Sequence, residues 1–173
     1  MPARTESQRP GVSYGSVGAT RAPDLLQHPP QGFRAWRRTV KLGFGDNRFE
    51  VACRQLLDFE VQTRGGFRSV ERDGDDLLLC GRLMGIIPVA FPVRLVYEVD
   101  EPQRVGFAYG TRSGHPLSGE ESFMVDYLPD GDVTLTITHF SRPSTRMWRL
   151  LGPMVRLAQW RYNRRYLDAL RPQ

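Results

Sequence analysis

The chain of 173 residues reads as an α+β domain. It predicts a strongly curved antiparallel sheet of about seven strands in the order strand, helix, six strands, long C-terminal helix, with room for a cavity between sheet and helix. Three observations support this. Six strand-like segments follow one another through short turns, and short links make antiparallel neighbours. A stripe of apolar residues at helical spacing separates them from the first strand, and a longer stripe occupies the C-terminal thirty or so residues.

The first 31 residues hold Pro2, Pro10, Pro23, Pro29 and Pro30 among several Gly and Ser, and show no apolar period. They read as an irregular arm preceding a single domain at 32–173. The alternation of Trp36, Arg38, Val40 and Leu42 predicts the first strand, ended by Gly43 and Gly45. Asp46 or Asn47 is placed to cap a helix striped by Phe49, Ala52, Cys53, Leu56, Leu57 and Val61, which Gly65-Gly66 stops. Strands follow near 67–72, 76–84, 87–99, 104–112, 119–128 and 132–141. The last helix, with Ser144 as its cap, carries Met147, Leu151, Met154, Ala158, Tyr162 and Ala169 along one face, and Gly152-Pro153 predicts a kink.

Charge is unevenly spread. The net +5 comes from 24 basic residues, all Arg except Lys41. Residues 1–40 carry six Arg against two acids, 41–140 ten bases against sixteen acids, and 141–173 eight Arg against Asp168. Arg149, Arg156 and Arg164 share roughly one face of the last helix. Such a face offers peripheral contact with an anionic membrane surface; the plainer reading is long Arg stems covering apolar surface with their heads in water. Nucleic acid is not the expected partner. The two cysteines lie in apolar stretches and the N-terminus lacks a signal-peptide apolar run, so a reducing, cytoplasmic setting is expected.

The turn Pro129-Asp130-Gly131 suits a three-residue hairpin loop with glycine left-handed, pairing Leu128 with Asp132. Counting back sets Val125 opposite Leu135, Phe123 opposite Ile137 and Glu121 opposite His139 on the apolar face. A hairpin pairing 99 with 105 around Pro102 sets Tyr97 opposite Phe107 and Leu95 opposite Tyr109. The result is an inward row of Leu95, Tyr109, Glu121 and His139. In a functional reading Glu121 fixes the tautomer of His139 while Tyr109 donates to a ligand, or the three act as acid and base. In a structural reading they satisfy one another, since an unpartnered buried polar group costs about 1–3 kcal/mol. His115, held between Gly114 and Pro116, either guards a cavity entrance or faces water in a tight loop.

Other chemistries find little support. "GSVG" and "GTRSG" lack the Gly-Lys-Ser/Thr ending of a phosphate-binding loop and open no helix. Three His and two distant Cys show no metal-ligand spacing, so no metal and no cofactor is expected. Ser118 lacks the upstream glycine of a nucleophile elbow.

The segments "YGSVGAT" (14–20), "GFR" (32–34), "VYEVDEPQRVGFAYGT" (96–111), "GHPLSGEESF" (114–123) and "FSRP" (140–143) resemble those of an uncharacterised family, domain of unknown function nineteen-ninety. The resemblance spans residues 14 to 170 and implies the helix-grip fold of the START-like, birch-pollen-allergen-like superfamily. It implies no activity and no catalytic residues.

The expected function is binding of a small apolar or amphipathic molecule between sheet and last helix. The expected lining is Trp36, Leu95, Tyr97, Phe107, Tyr109, Glu121, Phe123, Val125, Leu135, Ile137, His139, Leu151 and Met154, with His115 at the entrance. Two alternatives stand beside it: a cofactor-independent cyclase- or hydrolase-like enzyme using Tyr109, Glu121 and His139, and an interaction protein acting through the Arg-rich helix.

Overall fold

The computed structural model describes residues 11–83, 87–146, 148 and 152–171, with residues 83, 87 and 152–160 in backbone alone. Its elements are β1 (Arg34–Phe44), α1 (Asp46–Leu57), α2 (Glu60–Gly65), β2 (Phe67–Asp73), β3 (Asp76–Leu83), β4 (Ile87–Glu101), β5 (Arg104–Thr111), β6 (Leu117–Tyr127), β7 (Asp132–Pro143) and α3 (Gly152–Ala169). The seven strands form one antiparallel sheet in the order β1-β7-β6-β5-β4-β3-β2. β1 and β2 therefore lie at opposite edges. The segment joining them must cross the sheet, and it does so as α1 and α2.

The expected single helix from Asp46 to Gly65 is broken. α1 ends at Leu57, and Phe59 takes a left-handed backbone with φ 58° before α2 begins. A left-handed non-glycine residue costs about 1–3 kcal/mol. Here the turn brings the Phe59 ring against Phe107, with centroids 5.2 Å apart, and lets α2 bury Val61 and Gln62. Neither Asp46 nor Asn47 caps α1, because Gly45 precedes it without a side-chain cap and Asp46 lies in the first turn. There its charge favours the positive end of the helix dipole.

At the β6–β7 hairpin the Leu128 N–H donates to Asp132 O at 2.8 Å, and Gly131 has φ 87°, as the three-residue loop requires. Phe123 consequently faces Ile137, and Glu121 faces His139. The β4–β5 hairpin departs from its expected form. Glu101 pairs with Arg104 around a two-residue turn, one step tighter than the 99–105 pairing, and a bulge at Val96 takes up the difference. Leu95 still faces Tyr109, but Tyr97 faces Ala108 instead of Phe107. The bulge turns Val96 and Tyr97 to the outer face, so Tyr97 leaves the expected lining. It packs with Val96, Ala108 and Met124, and its hydroxyl meets Thr20 Oγ1 at 2.7 Å.

The described part of the N-terminal arm is irregular apart from a 3-10 turn at Ala19–Arg21, and it lies across the outer face of the sheet. Glu120 on β6 holds it. The buried carboxylate accepts from the Tyr14 hydroxyl at 2.6 Å, the Gly18 and Thr20 N–H groups at 2.7 and 3.0 Å, and the Thr20 hydroxyl at 2.5 Å. Four donors, two of them backbone, satisfy a charge that would otherwise be costly to bury.

On the inner face, α3 is fixed at its C-terminal end by two arginines from the crossing helices. Arg48 donates to Leu170 O and Arg64 to Ala169 O at 3.0 Å, satisfying carbonyls that the helix leaves unpaired. Tyr166 packs directly on Gly65: a Cβ there would lie 2.2 Å from the tyrosine ring. Gly65→Ala should therefore lower stability by about 1–3 kcal/mol through overpacking. Thermal denaturation checks this, and a melting temperature equal to that of the parent would show that α2 and α3 can separate without cost.

Candidate functional site

The concave face of the sheet is divided in two. One half is filled: Leu95, Phe107, Phe123, Val125, Leu135 and Ile137 are buried in one cluster with Leu56 and Val61 of the crossing helices and Tyr166 of α3. Six residues expected to line a cavity are thus ordinary core. The crossing helices make them so by occupying the space above β5, β6 and β7.

The other half encloses a cavity of about 400 Å³. Its apolar wall includes Phe67, Leu79, Phe91, Trp148, Tyr162 and Tyr166, with Val89, Pro116 and Leu117 adding to it. The phenol of Tyr109, the carboxyl of Glu121, the imidazoles of His139 and His115, and the Asn163 amide open onto it. Three of the four polar groups expected on the inward row or loop thus come from neighbouring strands in register, Tyr109 opposite Glu121 and Glu121 opposite His139. Trp36 stands beside the site, stacked on His139 with ring centroids 5.1 Å apart. Leu151 and the Met154 side chain lie outside the described residues, as do the side chains of Arg149 and Arg156, while Arg164 is exposed.

The hydrogen bonding differs from the expected triad. Tyr109 donates to Glu121 Oε2 at 2.9 Å, whereas His139 Nε2 lies 3.2 Å from Asn163 Nδ2. An amide donor facing Nε2 suits the neutral imidazole with its proton on Nδ1. Burial pushes the His139 value down to about 4, which agrees with that assignment. His115 is likewise held down to about 4 by burial; its ring lies 5.1 Å from that of Phe91 and its Nδ1 is 3.0 Å from Leu117 N.

Glu121 is half-buried at the cavity wall among packed side chains, and this desolvation pushes its carboxyl up to about 7 against the opposing effect of the Tyr109 hydrogen bond. It keeps partial accessibility because the side chain opens on the cavity. The Tyr109 and Tyr166 phenols are both raised, first by burial and then by the charge of Glu121. The Gln62 amide, fully buried on α2, lies beside the Tyr109 hydroxyl, yet neither of its polar atoms completes a hydrogen bond of normal geometry. Among the described residues no three of His, Cys, Asp and Glu converge as a metal site, and no helix is long and apolar enough to cross a membrane.

Sequence reasoning missed Phe67, Leu79, Phe91, Trp148, Tyr162, Asn163 and Tyr166. The alternation Leu77, Leu79 and the pairing of Leu79 with Phe91 were the available signal. Carrying the register from β4 on to β3 would have found that wall.

The model of the family described as domain of unknown function (DUF1990) matches residues 13–169. The chain belongs to this family. A UPF0548 protein of Deinococcus radiodurans is 32% identical over 97% of this chain and 89% of its own length. A UPF0548 protein of Arabidopsis thaliana is 36% identical over 47% of this chain and 43% of its own. Among solved structures, a START superfamily protein from Mycobacterium smegmatis superposes with a TM-score of 0.55 at 16% identity, covering 79% of this chain and 93% of that one. The Zhui aromatase/cyclase from Streptomyces sp. R1128 gives 0.55 at 14% identity, covering 80% and 91%. These likenesses show that the fold is the helix-grip fold.

The titrations of the site give opposite pH signatures. A carboxyl whose folded value of about 7 exceeds its ordinary 4.5 contributes stability that is full below pH 4.5 and lost as pH rises through 7. Imidazoles whose folded values of about 4 lie below 6.5 contribute stability that is full above pH 6.5 and lost as pH falls through 4. Glu121→Gln should therefore stabilise the protein at pH 8, by about 1–3 kcal/mol, with the gain shrinking to nothing by pH 4.5. Denaturant titrations of both proteins across this range check it; a destabilised variant at pH 8 would mean that the ionised carboxylate is well solvated.

Proposed function

We propose that the protein binds a small apolar or amphipathic molecule in the cavity beside α3. The observation that carries this is a space of about 400 Å³ with aromatic and aliphatic walls, onto which Tyr109, Glu121 and His139 of the sheet and Asn163 of α3 converge. That volume lies within the roughly 300–1,000 Å³ of small-molecule sites, and a mostly apolar wall with a few placed polar groups is their usual make-up. The shared fold of the START superfamily protein supports the same reading. His115 stands at the loop end of the wall, where it can gate entry.

A cofactor-independent enzyme is the second reading, favoured by the Tyr109–Glu121 pair at 2.9 Å and a carboxyl that titrates near neutral pH. A group with such a value can both give and take a proton at pH 7. The aromatase/cyclase shows that the fold accommodates reactions. Binding comes first in either case.

The test is fluorescence titration with the neutral apolar probe N-phenyl-1-naphthylamine. One molecule should bind per chain, and Leu117→Trp, which fills the cavity from β6, should weaken it at least tenfold while leaving the fold intact by circular dichroism. Equal binding to parent and filled variant would place the probe elsewhere and sink the proposal. Native mass spectrometry of the purified protein then identifies any retained molecule.

A further inference from the structure

The chemistry of the cavity wall narrows the class of ligand. Among the described residues the wall contains one acid facing inward, Glu121, and no Lys or Arg. Glu120 contributes backbone only, since its carboxylate is engaged by Tyr14, Gly18 and Thr20 on the opposite face. Six aromatic rings surround the space: Phe67, Phe91, Tyr109, Trp148, Tyr162 and Tyr166. Aromatic faces attract cations and do so more strongly when water is excluded. An enclosed carboxylate bonded to a single described hydroxyl lacks the donors that Glu120 has in abundance. An anionic ligand would set a second negative charge beside it.

We propose that the ligand is a cationic amphiphile, an amine carried on an aromatic or aliphatic body, whose ammonium pairs with the Glu121 carboxylate inside the aromatic wall. This rests on the cavity being the binding site and adds the charge of the occupant. The groups facing Glu121 leave that role open. Tyr109 of β5 donates its hydroxyl and stays neutral, Tyr166 of α3 stays neutral, Gln62 of α2 and Asn163 of α3 are amides, and His139 of β7 and His115 of the β5–β6 loop are uncharged near pH 7. No described neighbour supplies the positive charge. The ammonium would supply it, at up to three donors per nitrogen. Since the carboxyl is half protonated near pH 7, an ammonium entering below that pH must expel its proton. Amine affinity should then fall as pH decreases through 7, with proton release on binding.

Three matched probes decide the matter: 2-(2-naphthyl)ethylamine, 2-(2-naphthyl)ethanol and 2-naphthylacetate, each competed against N-phenyl-1-naphthylamine at pH 8. The amine should bind at least tenfold more tightly than the alcohol, and the carboxylate least of all. In Glu121→Gln the amine and alcohol should come within about threefold of each other. In the parent, calorimetry at pH 6.5 in buffers of different ionisation enthalpy should report proton release for the amine and none for the alcohol. Equal affinities in the parent, tightest binding of the carboxylate, or an amine preference that survives Glu121→Gln would overturn the assignment. If N-phenyl-1-naphthylamine itself does not bind, the cavity reading falls; if it binds and the amine has no advantage, the charge assignment alone falls.

Discussion

The alternation of side chains along β6 is the constraint on which the rest depends. Glu120 and Glu121 are adjacent in the chain, and the pleat sends them to opposite faces of the sheet. Outside, Glu120 meets four donors and ties down the N-terminal arm. Inside, Glu121 meets the Tyr109 hydroxyl and a cavity. A slip of one residue in β6 would leave the arm's donors facing Gly119, or would set Glu121 among them, and either way would turn the buried Phe123 and Val125 outward. The donors of the arm and the loop at Gly131 therefore enforce one register together, and that register lines up Tyr109, Glu121 and His139.

The cavity arises from how the edges of the sheet are joined. Because β1 and β2 lie at opposite edges, α1 and α2 must cross the concave face, and they fill it above β5, β6 and β7. The remaining space lies toward β3, β4 and the β5–β6 loop, closed by rings from α3. The break at Phe59 sets how far the filling extends, since it aims α2 so that Val61 and Gln62 are buried and Gly65 receives Tyr166. The polar row thus falls at the border between packed core and open space, where a carboxyl is desolvated without being fully satisfied.

Much of this was legible in the residues. Gly131 and its neighbours set the β6–β7 register by local turn chemistry, and alternation carried it across the sheet to the row of Leu95, Tyr109, Glu121 and His139. The row holds although the β4–β5 hairpin is one residue tighter than the sequence predicts, because the bulge at Val96 restores the pairing before Leu95. Tyr97 lay on the wrong side of that bulge. A bulge leaves the apolar pattern unchanged in type, since Val96 and Tyr97 are both apolar residues that can pack under the arm. The division into filled and open halves was illegible for a different reason. It depends on the volume that the helices deliver over each strand, and an apolar position reads the same whether a helix or a ligand covers it. The family resemblance indicated the fold, and the comparisons show it, while the chemistry comes from the site alone.

The central claim is that Glu121 is a desolvated carboxyl at the wall of a binding cavity. Its side-chain carboxyl can be followed directly by carbon-13 NMR through a pH titration of the intact protein. A midpoint near 7 is the result this account predicts. A midpoint near 4.5, the ordinary glutamate value, would show the group open to bulk water and would contradict both the enclosure of the site and the role assigned to it.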